Sequence, residues 1–180
     1  MPSPTTGILL ASLVACSTAF AGQAQPPKGE PERSRRTEQA PPRVVAPPLA
    51  VGAWLNREPL TLAELRGKVV VLHFWGVVNG PSRKLLPRLR DLYEKHKAEG
   101  IVVLGITGDR KPEVEKFAQF HRLTFPIGLD DKGTTHAAYR VEFLPTVCLI
   151  DRDGFLIWQS YVEDFTDEPV LTLLREAHGR

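Results

Sequence analysis

Thiols, imidazoles and the side chains that open helices are where this sequence could do chemistry. It holds two cysteines, Cys16 and Cys148, and five histidines, His73, His96, His121, His136 and His178. Dithiol exchange needs one sulfur as an attacking thiolate and a second to resolve the mixed disulfide. No motif pairs Cys16 with Cys148. The histidines show no metal-ligand spacing such as H-x-x-x-H, so no metal site is expected. Cys148 sits in Thr146-Val147-Cys148-Leu149-Ile150, where apolar neighbours make a cysteine an inert packing residue with a raised pKa.

Cys16 belongs to a different setting. The first 21 residues carry no charge, and Gly7 to Ala15 is an apolar run of signal-peptide length. Leu13-Val14-Ala15-Cys16 reads as a lipobox, with a diacylglyceryl thioether on Cys16. Ala19-Phe20-Ala21 before Gly22 is an equally acceptable A-x-A cleavage site. Either route removes or lipidates Cys16, leaving at most one free thiol in an exported protein of the periplasm or cell envelope.

A third constellation is Asn79-Gly80-Pro81-Ser82. Asparagine is among the best N-cap residues, and Ser82 then falls in the first helical turn. The positive end of such a helix takes a small anion or a partner's carboxylate, or else the segment serves only as a cap. His73 lies six residues before Asn79 on a candidate strand, close enough to matter to that turn.

The elements that must position these residues are legible from residue 51 onward. Val69 to Phe74 is a continuous β-branched and apolar run, a strand buried on both faces. Leu85, Leu89, Leu92 and Tyr93 recur at helical spacing after the Asn79 turn, with Pro87 predicting a kink. Ile101 to Ile106 is a second buried strand, so the unit is βαβ with a parallel pair. A helix opens near Pro112 and presents Val114, Phe117, Ala118 and His121 on one side. Phe125-Pro126-Ile127 follows, then a short helical stretch around His136 to Tyr139. A strand at Thr146 to Ile150 turns through Asp151-Arg152-Asp153-Gly154 into Phe155 to Tyr161. Thr166 caps a last helix that Gly179 ends.

Composition bounds the rest. At 180 residues and 42% hydrophobic, the chain buries one good core and not two. A net charge of +2, with both signs mixed along the sequence, argues against nucleic acid as the main partner. No run of 18 apolar residues exists to span a membrane. Residues 22–50 hold seven prolines and few large apolar side chains, the composition of a disordered tether. Its cluster Arg33, Arg35 and Arg36 would touch anionic headgroups or remain solvated.

Residues 51–180 resemble the TlpA/ResA-type redoxins of the thioredoxin superfamily, relatives of the AhpC/TSA peroxidases. The resemblance rests on Arg66-Gly67-Lys68-Val69-Val70, Phe74-Trp75, Gly80-Pro81, Pro87, Phe125-Pro126, Asp130, Leu144-Pro145-Thr146 and Ile150-Asp151-Arg152-Asp153-Gly154, in that order. It implies an α/β, thioredoxin-like fold: a central mixed sheet flanked by helices. The family's catalytic segment reads Phe-Trp-Ala-x-Trp-Cys-Gly-Pro-Cys. Here it reads Phe74-Trp75-Gly76-Val77-Val78-Asn79-Gly80-Pro81-Ser82, with both cysteine positions replaced.

An amide cannot attack a disulfide, and no cysteine remains near the turn to form a sulfenic acid. The resemblance therefore implies a binding or accessory module using Trp75, Asn79, Gly80, Pro81, Ser82, Leu144 and Pro145. In the family, Pro145 would be the cis-proline beside the turn, where a protein or extended peptide docks. No cofactor is expected. The rival reading is a thiol–disulfide oxidoreductase or antioxidant protein acting through Cys148. A third is a domain of a larger envelope assembly, with a partner chain in the groove.

Overall fold

A computed structural model describes residues 43–161 and 165–176. The expected signal peptide, Cys16, the tether up to residue 42 and Gly179 lie outside the described residues.

The described chain forms β1 (Val44–Val45), β2 (Ala53–Leu55), β3 (Val69–Phe74), α1 (Gly80–His96), β4 (Ile101–Thr107), α2 (Lys111–Phe120), β5 (Ile127–Leu129), α3 (Thr134–Ala138), β6 (Thr146–Ile150), β7 (Phe155–Tyr161) and α4 (Glu168–Glu176). The strands make one sheet in the order β1-β7-β6-β3-β4-β5-β2. β3, β4 and β5 run parallel, and β6 lies antiparallel against the other side of β3. The sheet is mixed, as expected, and β3 stands at its centre. All six β3 residues are buried, which is why its sequence is continuously apolar rather than alternating.

Alternation along β3 divides the core into two layers. Val69, Val71 and Trp75 face Leu85, Leu86, Leu89 and Leu92 of α1, with Val114 and Ala118 of α2 and Val170 and Leu174 of α4 in the same layer. Val70, Leu72 and Phe74 face the other way, toward Leu60, Leu65, Tyr139 and Cys148. Each fully buried leucine of α1 contributes roughly 1.5–3 kcal/mol of transfer free energy. The helix continues through Pro87, whose ring is exposed. The lost backbone bond therefore lies on the wet side, where proline is best tolerated.

Gly105 shows how tight the α1 layer is. A Cβ there would lie 2.9 Å from the Trp75 indole nitrogen and 3.2 Å from the Phe125 ring. Gly105→Ala should therefore cost about 1–3 kcal/mol by overpacking, measured as a lower denaturant midpoint. An unchanged midpoint would mean that Trp75 yields freely.

Two expectations need correction. Residues 43–50 are not tether: Val44 and Val45 pair with Leu156 and Phe155, Ala46 is buried, and the Tyr139 hydroxyl donates to the Pro47 carbonyl at 2.8 Å. Proline lacks an amide but keeps its acceptor, so a Pro-rich segment can still be anchored through its carbonyls. The last helix opens one residue later than expected, with Asp167 rather than Thr166 before it. The Asp167 carbonyl accepts from Leu171 at 3.0 Å, and its carboxylate accepts from the Arg88 guanidinium at 2.8 Å.

Candidate functional site

The C-terminal end of β3 leads through Trp75 to Val78 into α1, the position at which open α/β sheets place their sites. The turn is fixed by its backbone. The Trp75 amide donates to Ile106 at 3.0 Å, and the Asn79 amide to Gly76 at 3.1 Å. Asp109 braces it from the end of β4: its Oδ2 accepts from the Val77 amide at 2.6 Å and from the Thr107 hydroxyl at 3.0 Å.

Asn79 is the N-cap, with extended backbone at φ −80 and ψ 112. Its Oδ1 accepts from the Ser82 amide at 2.8 Å, and its carbonyl accepts from the Arg83 amide at 3.1 Å. Pro81 has no amide to offer. The donors that would greet an anion are thus mostly consumed, and the helix tip reads as a completed cap. The other end of the Asn79 side chain, Nδ2, donates to the Leu144 carbonyl at 3.3 Å. Leu144-Pro145 is a cis peptide bond. One asparagine therefore ties the helix tip to the loop 65 residues away.

Asn79→Ala removes both ties. The cap alone is worth about 0.5–2 kcal/mol, so thermal unfolding should show a clear loss. A loss below that range would show that solvent replaces the cap at no cost.

The structure separates the expected site residues into two groups. Asn79, Gly80, Pro81 and Leu144 are at least partly accessible, while Pro145 is buried behind them. Trp75 and Ser82 are fully buried and cannot touch a partner. The Trp75 ring packs 5.5 Å from that of Phe117, so it belongs to the core. Ser82 points inward because it shares the helix stripe with Leu85, Leu86 and Leu89.

Three residues that the sequence did not single out surround the accessible group. Val78 is 91% exposed, Phe143 66% and Tyr161 47%, and the last two rings lie edge-on at 6.4 Å. Phe143 is next to Leu144 in the chain, and Val78 is next to Asn79. Nothing in their local sequence announces exposure.

Burial and hydrogen bonding shift three titratable groups of the folded domain. His73 is fully buried, and desolvation drives its pKa down to about 3, so its imidazole is neutral at ordinary pH. The Cys148 thiol is pushed up to about 12 by burial, and it is the free cysteine among the described residues. Burial opposes ionisation of Asp130, but hydrogen bonds from His136 outweigh it and hold the carboxyl below its ordinary value. Asp130 Oδ2 lies 2.8 Å from the His136 amide and 2.7 Å from Nδ1 of the same residue.

Comparison with known proteins agrees with this fold. The model of the AhpC/TSA family matches residues 43–159, beginning where the described residues begin. The thiol-disulfide oxidoreductase ResA of Geobacillus kaustophilus (strain HTA426) is 42% identical over 94 residues, which are 52% of this chain and 54% of that protein. ResA of Bacillus thuringiensis subsp. konkukian (strain 97-27) is 35% identical over 104 residues, 57% of this chain and 60% of that protein. The chain thus spans little more than half the length of these curated relatives. The crystal structure of a putative thiol:disulfide interchange protein DsbE from Chlorobium tepidum superposes with a TM-score of 0.65 at 28% identity, over 73% of this chain and 96% of that one. The fold is thioredoxin-like, and the likeness is to TlpA/ResA-type redoxins. No helix among the described residues is long and apolar enough to cross a membrane.

Proposed function

The chain belongs to the AhpC/TSA family, and from that premise we propose that its folded domain acts by binding, as an accessory module of the cell envelope, without dithiol chemistry. The observation that carries this reading is Asn79. It occupies the helix opening at the position where the redoxin segment has its first cysteine, and it is hydrogen-bonded at both ends of its side chain. Ser82, at the second cysteine position, is buried and lies outside a substrate's reach. Export rests on the uncharged, apolar leader of residues 1–21.

The partner is a protein or extended peptide docking at Leu144-Pro145. The exposed Val78, Phe143 and Tyr161 supply apolar surface of the kind that the centre of such an interface buries. The Leu144 carbonyl is already engaged by Asn79, so a strand-like partner has to share or displace that bond. The test is catalytic: purified wild-type protein should neither reduce insulin disulfides nor turn over peroxide with thiols. Measurable turnover would overturn the reading.

The names of the ResA relatives favour a second reading, an oxidoreductase, which here would have to use Cys148. That requires a thiolate, and a buried thiol with a pKa near 12 supplies none at neutral pH. A thiol reagent should therefore label Cys148 only after denaturation. Fast labelling of the native protein would bring the oxidoreductase reading back.

A further inference from the structure

An open cavity of about 410 Å3 lies where the β2 margin of the sheet meets the end of α2, and none of the helix-tip residues lines it. One wall is the turn that closes α2. There the Arg122 amide donates to the Gln119 carbonyl at 3.2 Å, and the Leu123 amide to the Ala118 carbonyl at 2.9 Å, the paired bonds of a Schellman motif. Asn56, at the end of β2, forms the facing wall. Its Nδ2 donates to the Leu123 and Phe125 carbonyls at 2.8 and 3.0 Å, which ties the two walls together.

Two of the three non-glycine residues with positive φ among the described residues line this cavity: Asn56 at φ 65 and Arg122 at φ 52. Asparagine tolerates the left-handed region. Arg122 does not share that ease. It occupies the position after a helix where glycine is the usual choice, and its Cβ is held against its preference there. Strain of this kind concentrates at sites that hold ligands.

The chemistry of the walls selects the ligand. Arg122 makes no ion pair, and the Gln119 side chain makes no hydrogen bond, among the described residues. A guanidinium offers only donors, set in a planar fork that matches a carboxylate, and the glutamine amide adds two more. Glu115 also lines the cavity, but Lys111 lies 3.7 Å from its carboxylate and offsets its charge. The remaining surface is apolar: Leu55, with Ala118 and Leu123 almost fully buried beneath it. An inorganic anion would leave that floor uncovered. A planar anion with a compact apolar body meets both halves, and the volume is within the usual range of small-ligand sites.

We propose that this cavity binds a small organic carboxylate. The carboxylate accepts from the Arg122 guanidinium and the Gln119 amide, and the apolar body lies on Leu55, Ala118 and Leu123. Arginine stands where glycine would be more comfortable because it is the anion's ligand. This inference does not depend on the binding role proposed for the helix tip.

The probes are benzoate and its neutral counterpart benzamide, titrated into the full 15N-labelled chain at millimolar concentrations. Benzoate should shift the backbone amides of Leu55, Gln119, Arg122 and Leu123 saturably, with benzamide binding roughly tenfold more weakly for want of the charge. Arg122→Gly should lose the benzoate response by about the same factor. The same variant should raise the urea midpoint, since glycine relieves the left-handed strain, an outcome that a merely structural arginine would not give. The absence of saturable benzoate shifts, an equal response to benzamide, a benzoate response that survives in Arg122→Gly, or a midpoint that does not rise would each overturn the proposal.

Discussion

A double variant carrying Asn79→Cys and Ser82→Cys should reduce insulin disulfides, raising the rate by orders of magnitude over the wild type. The two positions are three residues apart across the first turn of α1, within reach of a disulfide after small adjustment. The sulfur at 79 would sit partly exposed at the positive end of a helix, and the one at 82 would be buried beneath it. That asymmetry is what the reaction needs: an accessible attacker and a shielded resolver. Helix-tip thiols titrate at roughly 3.5–7.5 rather than about 8.5, so iodoacetamide labelling should show one depressed pKa. The Asn79 cap is lost in the exchange, which lowers stability but leaves the tip dipole in place. An ordinary thiol pKa with no reductase activity would mean that this turn is not the redoxin turn.

Acidification is the second large effect. His73 has a folded-state pKa near 3, against 6.5 for a free imidazole. A depressed pKa means that the unfolded chain binds a proton which the folded one refuses. The associated stability is fully present above pH 6.5 and is lost as the pH falls toward 3, with a slope approaching roughly 1.4 kcal/mol per unit. Asp130 is also held low, but a carboxyl of its kind ordinarily titrates near 3.8, so its contribution persists through most of this window and disappears below it. Urea denaturation between pH 7 and pH 4 should therefore show falling midpoints, and His73→Leu should flatten the curve. An equally steep curve in the variant would place the acid sensitivity elsewhere.

How much of this was legible in the sequence follows from length and periodicity. Val69 to Phe74 matched its strand to the residue because an uninterrupted β-branched run has one comfortable home, the middle of a sheet. The α1 stripe was equally readable. The edge strands Val44–Val45 and Ala53–Leu55 were not, nor was Ile127–Leu129, since two or three residues carry no period. Their pairing is a tertiary event. The same holds at the site. The cap by Asn79 is local and was foreseen, while its bond to Leu144 depends on a contact across 65 residues. The burial of Ser82, and of Trp75 where the resemblance implied a contact, has a related cause. Adjacency to an active turn in sequence says nothing about which way a side chain points once α1 has packed.

The order of the strands has a consequence for how the molecule opens. Two of its short strands, β1 and β2, form the two margins of the sheet, and β3 lies between β6 and β4, bonded on both sides. Amide protons at the margins can trade with solvent through brief local fraying, while those of β3 must await near-global unfolding. The helix tip grows directly out of that slowest-exchanging strand. A partner docking there, as proposed, would meet a surface whose foundation is the last part of the folded domain to come apart.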